Sequence, residues 1–559
     1  MINLLKKIIA IIPDTYQKKL PVLLGWSFLN TLLEFISIGA LVPFILAILN
    51  KEKANEFLQE HLYITLNDNI LVYSIVLLFL FYVTKNIIQT FIIKKQSAYI
   101  YTIAVTISQQ LVKDYLNDTQ KHFTVNKGTF LRDLQQIPTV FATQLLTSLY
   151  ILITELFILL GIILVSLFIN FKLALIASIS LITITFIFLF IKRKKIKKLN
   201  NDVASGYQLN INHLINLLNG FTDIKSAQAE HVFTNHFYQT NKHYNEQLAK
   251  LRVHKLTSIR FFEFFIIIGI ALLLLLMQLN ENNNLLLLAF FASALTKLIP
   301  SFNKISNSII DLRANRYAVD ILDKKLKVKT HNKLANQNFK KSIKLHDVSF
   351  SYDNNSNLFS NINITINQGS FTLITGASGK GKTTLLRILS GMVLPTSGNL
   401  NIDGHKQQTP EFHPFIAYLE QQPFLFHGTL LENITMFKTK HIDKKYIEYL
   451  LTEMQLTNWY NSLSNGLETV IHADSKSISG GQKQRIALIR ALYTKSQILL
   501  LDETTNQLNK ELTKVVMQFL AKEVETKRLT IVLATHNESL KQYSTQHLHL
   551  GNKNKLHEV

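Results

Sequence analysis

Six apolar segments limit what this chain can fold into more than any other feature, because each is long enough to cross a hydrocarbon core, which takes about 20 residues as a helix. They run near Leu20–Leu49, Ile70–Ile93, Val140–Phe168, Phe171–Ile191, Ile259–Leu279 and Leu285–Ile310. At 559 residues the chain is too long for one core, so two or more domains are expected. Hydrophobic residues at 48% against 17% charged agree with a membrane-embedded half. There is no cysteine, which excludes disulfides, thiol catalysis and thiolate metal sites and fits a reducing compartment. The start, Met1-Ile-Asn-Leu-Leu-Lys-Lys7, has no small-residue cleavage site before the next apolar segment, so no removable signal peptide is expected.

The formal net charge is +22, a balance that nucleic acid or a membrane surface would each explain. The positions of the charges favour the membrane. Between the second and third segments lie Lys94, Lys95, Lys113, Lys121, Lys127 and Arg132, and the stretch after the fourth opens with Lys192-Arg-Lys-Lys-Ile-Lys-Lys198. The loop after the first segment has more acids (Glu52, Glu56, Glu60, Asp68) than bases (Lys51, Lys53), and the turn Asn280–Asn284 has no base. The positive-inside rule therefore puts the long polar stretches and both termini in the cytoplasm. The basic run 192–198 reads as an orientation signal with anionic-lipid contact, and no nucleic-acid partner is expected. Segments three and four, separated by little more than Asn170, form a tight helical hairpin, and Pro43 and Pro300 shape their helices. Glu34, Lys85, Glu155 and Lys297 fall inside the spans, where an ionised group costs roughly 2.5–3.5 kcal/mol on insertion scales. Either they line a polar translocation cavity, or they pair between helices with the lysines snorkelling.

From about Asp323 the texture changes. Lys324–Lys341 is polar and basic with no apolar period, and it reads as a linker between a transmembrane domain, residues 1–323, and a second domain, residues 342–559. The β-rich runs Ile343–Phe350, Ile362–Ile366 and Phe371–Thr375 lead into alternating helix and strand, an α/β pattern. Gly376, Ala377, Ser378, Gly379, Lys380, Gly381, Lys382, Thr383 and Thr384 follow the last of these strands and open a helix, the context a phosphate loop requires. Its glycines let the backbone fold around phosphates with N–H groups inward, and the helix N-terminus adds partial positive charge. Lys382 is placed to reach the β- and γ-phosphates, and Thr383 to ligate Mg²⁺. Ile498–Asp502 reads as a buried strand ending in acids. Asp502 is the candidate Mg²⁺ ligand through water, and Glu503 the group that polarises the attacking water. Thr530–Thr535 is a further buried strand, and His536 at its end is a candidate γ-phosphate contact. Ser479, Gly480, Gly481 and Gln482 begin a helix and form a second anion cradle. One triphosphate does not need two cradles from one chain. The economical arrangement is two domains face to face, sharing two ATP molecules.

On these motifs residues 343–550 resemble the nucleotide-binding domain of ABC transporters. The whole chain resembles a B-type ABC exporter half-transporter: a multidomain membrane protein, with an all-α six-helix transmembrane domain followed by an α/β P-loop ABC ATPase domain. The resemblance implies that Tyr352 stacks on adenine, that Gln421 senses Mg²⁺ and contacts the membrane domain, that Ser479–Gln482 is the signature and that His536 is the switch histidine. Asn219-Gly220-Phe-Thr-Asp-Ile-Lys225 resembles the segment near the second coupling helix. ATP and Mg²⁺ are the implied cofactors, with Lys382, Glu503 and His536 as catalytic groups. Three positions depart from the pattern: Lys380 stands where a small residue is usual, Asn509 where an aspartate is usual, and His472-Ala-Asp-Ser475 where exporters carry Gly-Glu-x-Gly.

The expected function is ATP hydrolysis coupled by alternating access to export or flipping of an amphipathic lipid, glycolipid, peptide or drug-like molecule across a bacterial inner membrane. The expected assembly is a homodimer among membrane lipids, or a heterodimer with another half-transporter. The alternative is an ATP-gated regulator or channel without pumping. Six spans argue against a soluble ABC ATPase acting on nucleic acid or ribosomes, and fusion of the two parts on one chain argues against an importer. The first span, Leu32–Phe44, is similar to those of lipid-linked oligosaccharide flippases and small-peptide exporters. Without cysteine, and with its first span so near the start, the chain is expected to lack the cysteine peptidase domain that some peptide exporters carry.

Overall fold

The computed structural model describes residues 2–49, 51–62, 70–118, 127–169, 171–279, 285–327, 338–352, 357–471, 478–527, 529–551 and 556–558. The predicted turns at Asn170 and Asn280–Asn284, with Asp68, Lys121, residues 328–337 of the expected linker and His472–Ser475, lie outside these ranges. The chain divides into two compact units, one from residues 1–114 and 125–329 and one from residues 115–124 and 330–559.

Every predicted span lies in a helix. The helices are Leu20–Leu49, Ile70–Asn117, Thr147–Ile169 (continued N-terminally by the π-helical Phe141–Leu146 and by Ile137–Val140), Phe171–Asn219, Glu230–Leu279 and Leu285–Ala314. Ile70–Asn117 has 48 residues and holds neither proline nor glycine, so nothing interrupts it where its sequence turns polar. At 1.5 Å per residue such a helix is about 70 Å long, more than twice a hydrocarbon core of about 30 Å, so it runs well past it. Among the described residues, three helices (Asp14–Leu46, Ile75–Asn117 and Lys127–Phe168) are long and apolar enough to cross a membrane. The last of these carries π-helical turns at Arg132–Gln136 and Phe141–Leu146, one on either side of Pro138. Proline has no N–H to give and crowds the carbonyl four residues back, so the ladder widens around it.

Ile8, Ile11 and Ile12 of the N-terminal stretch bury themselves against Ile103, Ile107, Phe141, Leu145, Val319 and Leu322. A second cluster joins Ile38, Val42 and Leu46 to Ile158, Ile162 and Phe290. Phe79, Leu77, Ile87 and Phe168 are exposed, as side chains facing lipid are.

In the second unit an antiparallel sheet is built from β1 (Ser342–Phe350), β2 (Phe359–Asn367), β4 (Ser397–Ile402) and β5 (His405–Lys406), in the order β2-β1-β4-β5. The central sheet uses β3 (Phe371–Gly376), β6 (Ile416–Leu419), β9 (Ile498–Asp502), β10 (Thr530–Thr535), β11 (Gln546–Leu550) and β12 (Leu556–Glu558), in the order β12-β11-β3-β10-β9-β6. The strands β3, β9 and β10 are buried along their whole length, which is why they read as unbroken apolar runs. A two-residue pair, β7 (Gly428–Thr429) with β8 (Val470–Ile471), completes the strands.

Register decides where the chemistry falls. Thr535 pairs with Thr375, Ala534 with Asp502, and Leu419 with Leu501, all in parallel. Gly376, the last residue of β3, and His536, Glu503 and Gln421, which follow β10, β9 and β6, therefore emerge at one edge of the sheet. That edge, outside the carboxyl ends of parallel strands, is where open α/β sheets bind ligands.

Candidate nucleotide site

The phosphate loop leaves β3 through Gly376 at φ 150°, and Gly379 and Gly381 take φ 79° and 97°, left-handed conformations that an L side chain resists. Ala377, Ser378 and Gly379 are exposed, and a Cβ added at Gly379 would meet nothing, so the loop is open on the side a ligand approaches. Lys382 begins the helix Lys382–Leu389 and is 5% exposed. Its Nζ donates to the carbonyls of Gly376 (2.7 Å) and Ala377 (3.1 Å) and lies 3.7 Å from Glu503 Oε1. An ammonium held, among the described residues, by its own loop's carbonyls and one carboxylate can exchange them for phosphate oxygens.

Asp502 ends β9 in a buried setting. Burial raises its carboxyl above the usual carboxylate range, against hydrogen bonds from Thr383 and Tyr418, and the neighbouring Glu503 charge adds to the rise. A desolvated acid beside the Thr383 hydroxyl suits a divalent cation, so the donor set fits Mg²⁺. Tyr418 Oη lies 3.4 Å from Asp502 Oδ2, and burial, with that acid close by, raises its phenol far above the usual value.

Glu503 is the hub. Gln421 Nε2 donates to its Oε2 at 2.8 Å and Asn506 Nδ2 to the same oxygen at 2.7 Å. His536 Nδ1 lies 3.8 Å from Oε1, too far for a hydrogen bond but close enough to feel the charge. The Glu503 backbone sits at φ 47° and donates its N–H to Ala534 O at 2.8 Å. Tyr352 stands edge-on to Phe350, is 60% exposed, and bonds the Thr384 hydroxyl at 2.9 Å, so an open aromatic face stands beside the phosphate-loop helix.

Residues 359–506 match the ABC transporter family model. The chain carries an ABC transporter ATPase domain. A lipid A-core flippase of Saccharophagus degradans is 32% identical over 46% of this chain and 44% of its own length. A lactococcin-A transport/processing ATP-binding protein of Lactococcus lactis is 32% identical over 32% of this chain and 26% of its own. The chain thus spans less than half the length of these relatives. Across 96% of this chain and 94% of the other, the fold is similar to that of a bacterial Atm1-family ABC exporter with ATP bound, at a TM-score of 0.74 and 17% identity.

In this ABC ATPase domain Ser479–Gln482, the segment that resembles the signature, forms a closed cap. Ser479 Oγ accepts from Gln482 N–H, and Gln482 Oε1 accepts from Ser479 N–H at 2.8 Å, at the start of the helix Gly480–Tyr493. Gly480 and Gly481 leave room for Gln507: a Cβ on Gly480 would collide with its side-chain carbonyl, and one on Gly481 would sit 3.0 Å from its backbone oxygen. The departures from the family pattern also find places. Asn509 Oδ1 accepts from Leu512 N–H and caps the helix Lys510–Lys527. Lys380 is half-buried in the loop. Asn506 and Tyr418 were not legible beforehand. An asparagine three residues after a strand-end glutamate was the available signal for the first, whereas Tyr418 reaches Asp502 only through strand pairing.

In the helical unit the intramembrane ionisable residues are paired. Lys85 Nζ and Lys297 Nζ both reach Glu34 Oε2, at 2.8 and 2.6 Å, and Gln89 Nε2 donates to Oε1 at 2.8 Å. Glu155 joins a different set: Ser301 Oγ donates to its Oε2, and Lys304 Nζ lies 2.7 Å from its Oε1.

Proposed function

We propose that this protein is an ATP-driven exporter or flippase of an amphipathic substrate, working as a homodimer in a bacterial inner membrane with its ATPase domain and both termini cytoplasmic. The observation that carries the reading is the convergence of Lys382, Gln421, Asn506 and His536 on Glu503, in a chain whose other unit supplies membrane-length helices.

Each side chain has a task. Lys382 turns from the loop carbonyls to the β- and γ-phosphates while the loop N–H groups hold their remaining oxygens. Thr383, Asp502 and Gln421, partly through water, would hold Mg²⁺, which would neutralise charge on the phosphates. Glu503 takes the proton of the attacking water, with Asn506 fixing the carboxylate, and His536 donates to the γ-phosphate. Tyr352 stacks on the base. The hydrogen bonds of Ser479 and Gln482 stay within their own turn, which supports a role for Ser479, Gly480 and Gly481 as an anion cradle for the nucleotide of a second copy. ATP then binds the closed pair better than the open one, and that difference does the conformational work on the helices.

The test is hydrolysis by the purified protein in lipid vesicles, followed by movement of candidate amphiphiles across the bilayer. ATP turnover with no vectorial movement of any cargo would leave a gated regulator, and absence of turnover would end the reading.

A further inference from the structure

The helix Leu285–Ala314 presents two unlike faces. Ser293, Ala294, Ser301, Phe302, Ile305 and Ser306 are buried, whereas Thr296, Pro300 and Lys304 are exposed and Lys297 and Asn303 half-buried. A face turned to lipid would expose apolar side chains. An open polar stripe on a membrane-length helix belongs against water or a polar ligand. The charges of its neighbours do not balance. Lys85 is 3% exposed, bonded to Glu34, and lies 5.2 Å from the centre of the Tyr82 ring. Its charge is therefore met. Lys297 leans on the same Glu34 oxygen and remains 24% exposed. Glu155, the other carboxylate of the network, is already taken by Ser301 and Lys304. Among the described residues, Lys85, Lys297 and Lys304 thus pair with only two carboxylates, Glu34 and Glu155, and the surplus positive charge falls to Lys297 on the open stripe.

We propose that Lys297, with Lys304 seven residues on along the same stripe, binds an anionic group, a phosphate or carboxylate, of the transported amphiphile. This rests on the exporter reading above and names the chemistry of its cargo. Seven residues place the two lysine backbones about 10 Å apart along one side of the helix, so their long side chains can both address one headgroup bearing more than one charge.

The experiment measures ATP hydrolysis by the full chain in phosphatidylcholine vesicles, with phosphatidylglycerol or inorganic phosphate as the added anion. Stimulation by phosphatidylglycerol supports a lipid-borne anion, stimulation by inorganic phosphate alone supports a free one, and stimulation by neither overturns the proposal. Hydrolysis that is absent everywhere would overturn the exporter reading itself. K297Q leaves Glu34 paired with Lys85 and Gln89, so the fold keeps a balanced cluster. It should raise the anion concentration for half-maximal stimulation roughly tenfold, equivalent to about 1.4 kcal/mol, while K297R retains the wild-type value. K195Q, at an exposed lysine of the basic run far along the sequence, should respond like wild type. An unchanged response in K297Q, or an equal loss in K195Q, would show that Lys297 serves only the ion pair.

Discussion

Glu503 combines two demands that a single residue rarely meets. Its backbone adopts a left-handed conformation that costs a non-glycine residue on the order of 1 kcal/mol, and in the proposed role its carboxylate must stand free enough to accept a proton. The N–H bond to Ala534 holds the backbone, while the amides of Gln421 and Asn506 hold one oxygen. We expect E503Q to bind ATP normally and lose about 10²–10⁴-fold in turnover, the usual range for a general base, as measured by equilibrium nucleotide binding beside steady-state hydrolysis. N506A removes one donor, worth about 1 kcal/mol, so kcat should fall roughly fivefold with KM for ATP little changed. His413 offers a pH test. It is stacked on Phe415 at 4.9 Å and bonded to Gln407, and burial lowers its pKa below the ordinary 6.5. As pH falls below 6.5 the unfolded chain takes up this proton before the folded one does, so stability present above that value is lost in acid. Thermal melts of wild type between pH 7.5 and 5.5 should show a loss that H413Q largely lacks.

At the scale of elements, caps and buried ties hold the short helices of the ATPase domain. Thr429 and Glu432 form a reciprocal capping box on Leu430–Thr435, a helix too short to persist on its own propensity. T429A should cost about 1 kcal/mol, read as a lower melting temperature of the ATPase domain in the full chain. That helix is tied to Gly480–Tyr493 by Arg490, whose guanidinium donates to Asn433 O and Phe424 O. Burial lowers its pKa to about 10. Helix and strand types were legible from local pattern, because apolar runs of membrane length and the buried strand before a phosphate loop declare themselves residue by residue. The π turns around Pro138 were not, since the widening of a helical ladder depends on how its neighbours take up the slack.

The whole molecule is where the two-copy arrangement is tested. If each site joins the Lys382 loop of one copy to the Gly481 cradle of the other, K382A and G481D should each be nearly inactive alone. Co-reconstituted, they should regain hydrolysis, because a mixed pair contains one site with both halves intact. The double variant K382A/G481D mixed with wild type spoils one half of each site and gives no such gain beyond the wild-type pairs present. Hydrolysis assays on defined mixtures separate the two cases.

The amino-acid order alone determined which residues are the candidates to grip phosphate and which segments suit a bilayer, because both depend on neighbours within a few positions: glycines that bend a loop, a lysine at a helix start, some twenty apolar residues in a row. Only the tertiary structure decided which side chains meet. Gln421 and Glu503 are 82 positions apart and touch because β6 and β9 run parallel in one register, and Lys85 finds Glu34 51 positions away across two helices. Such meetings depend on strand order and helix packing, which are set by the burial of the whole chain rather than by any stretch of it.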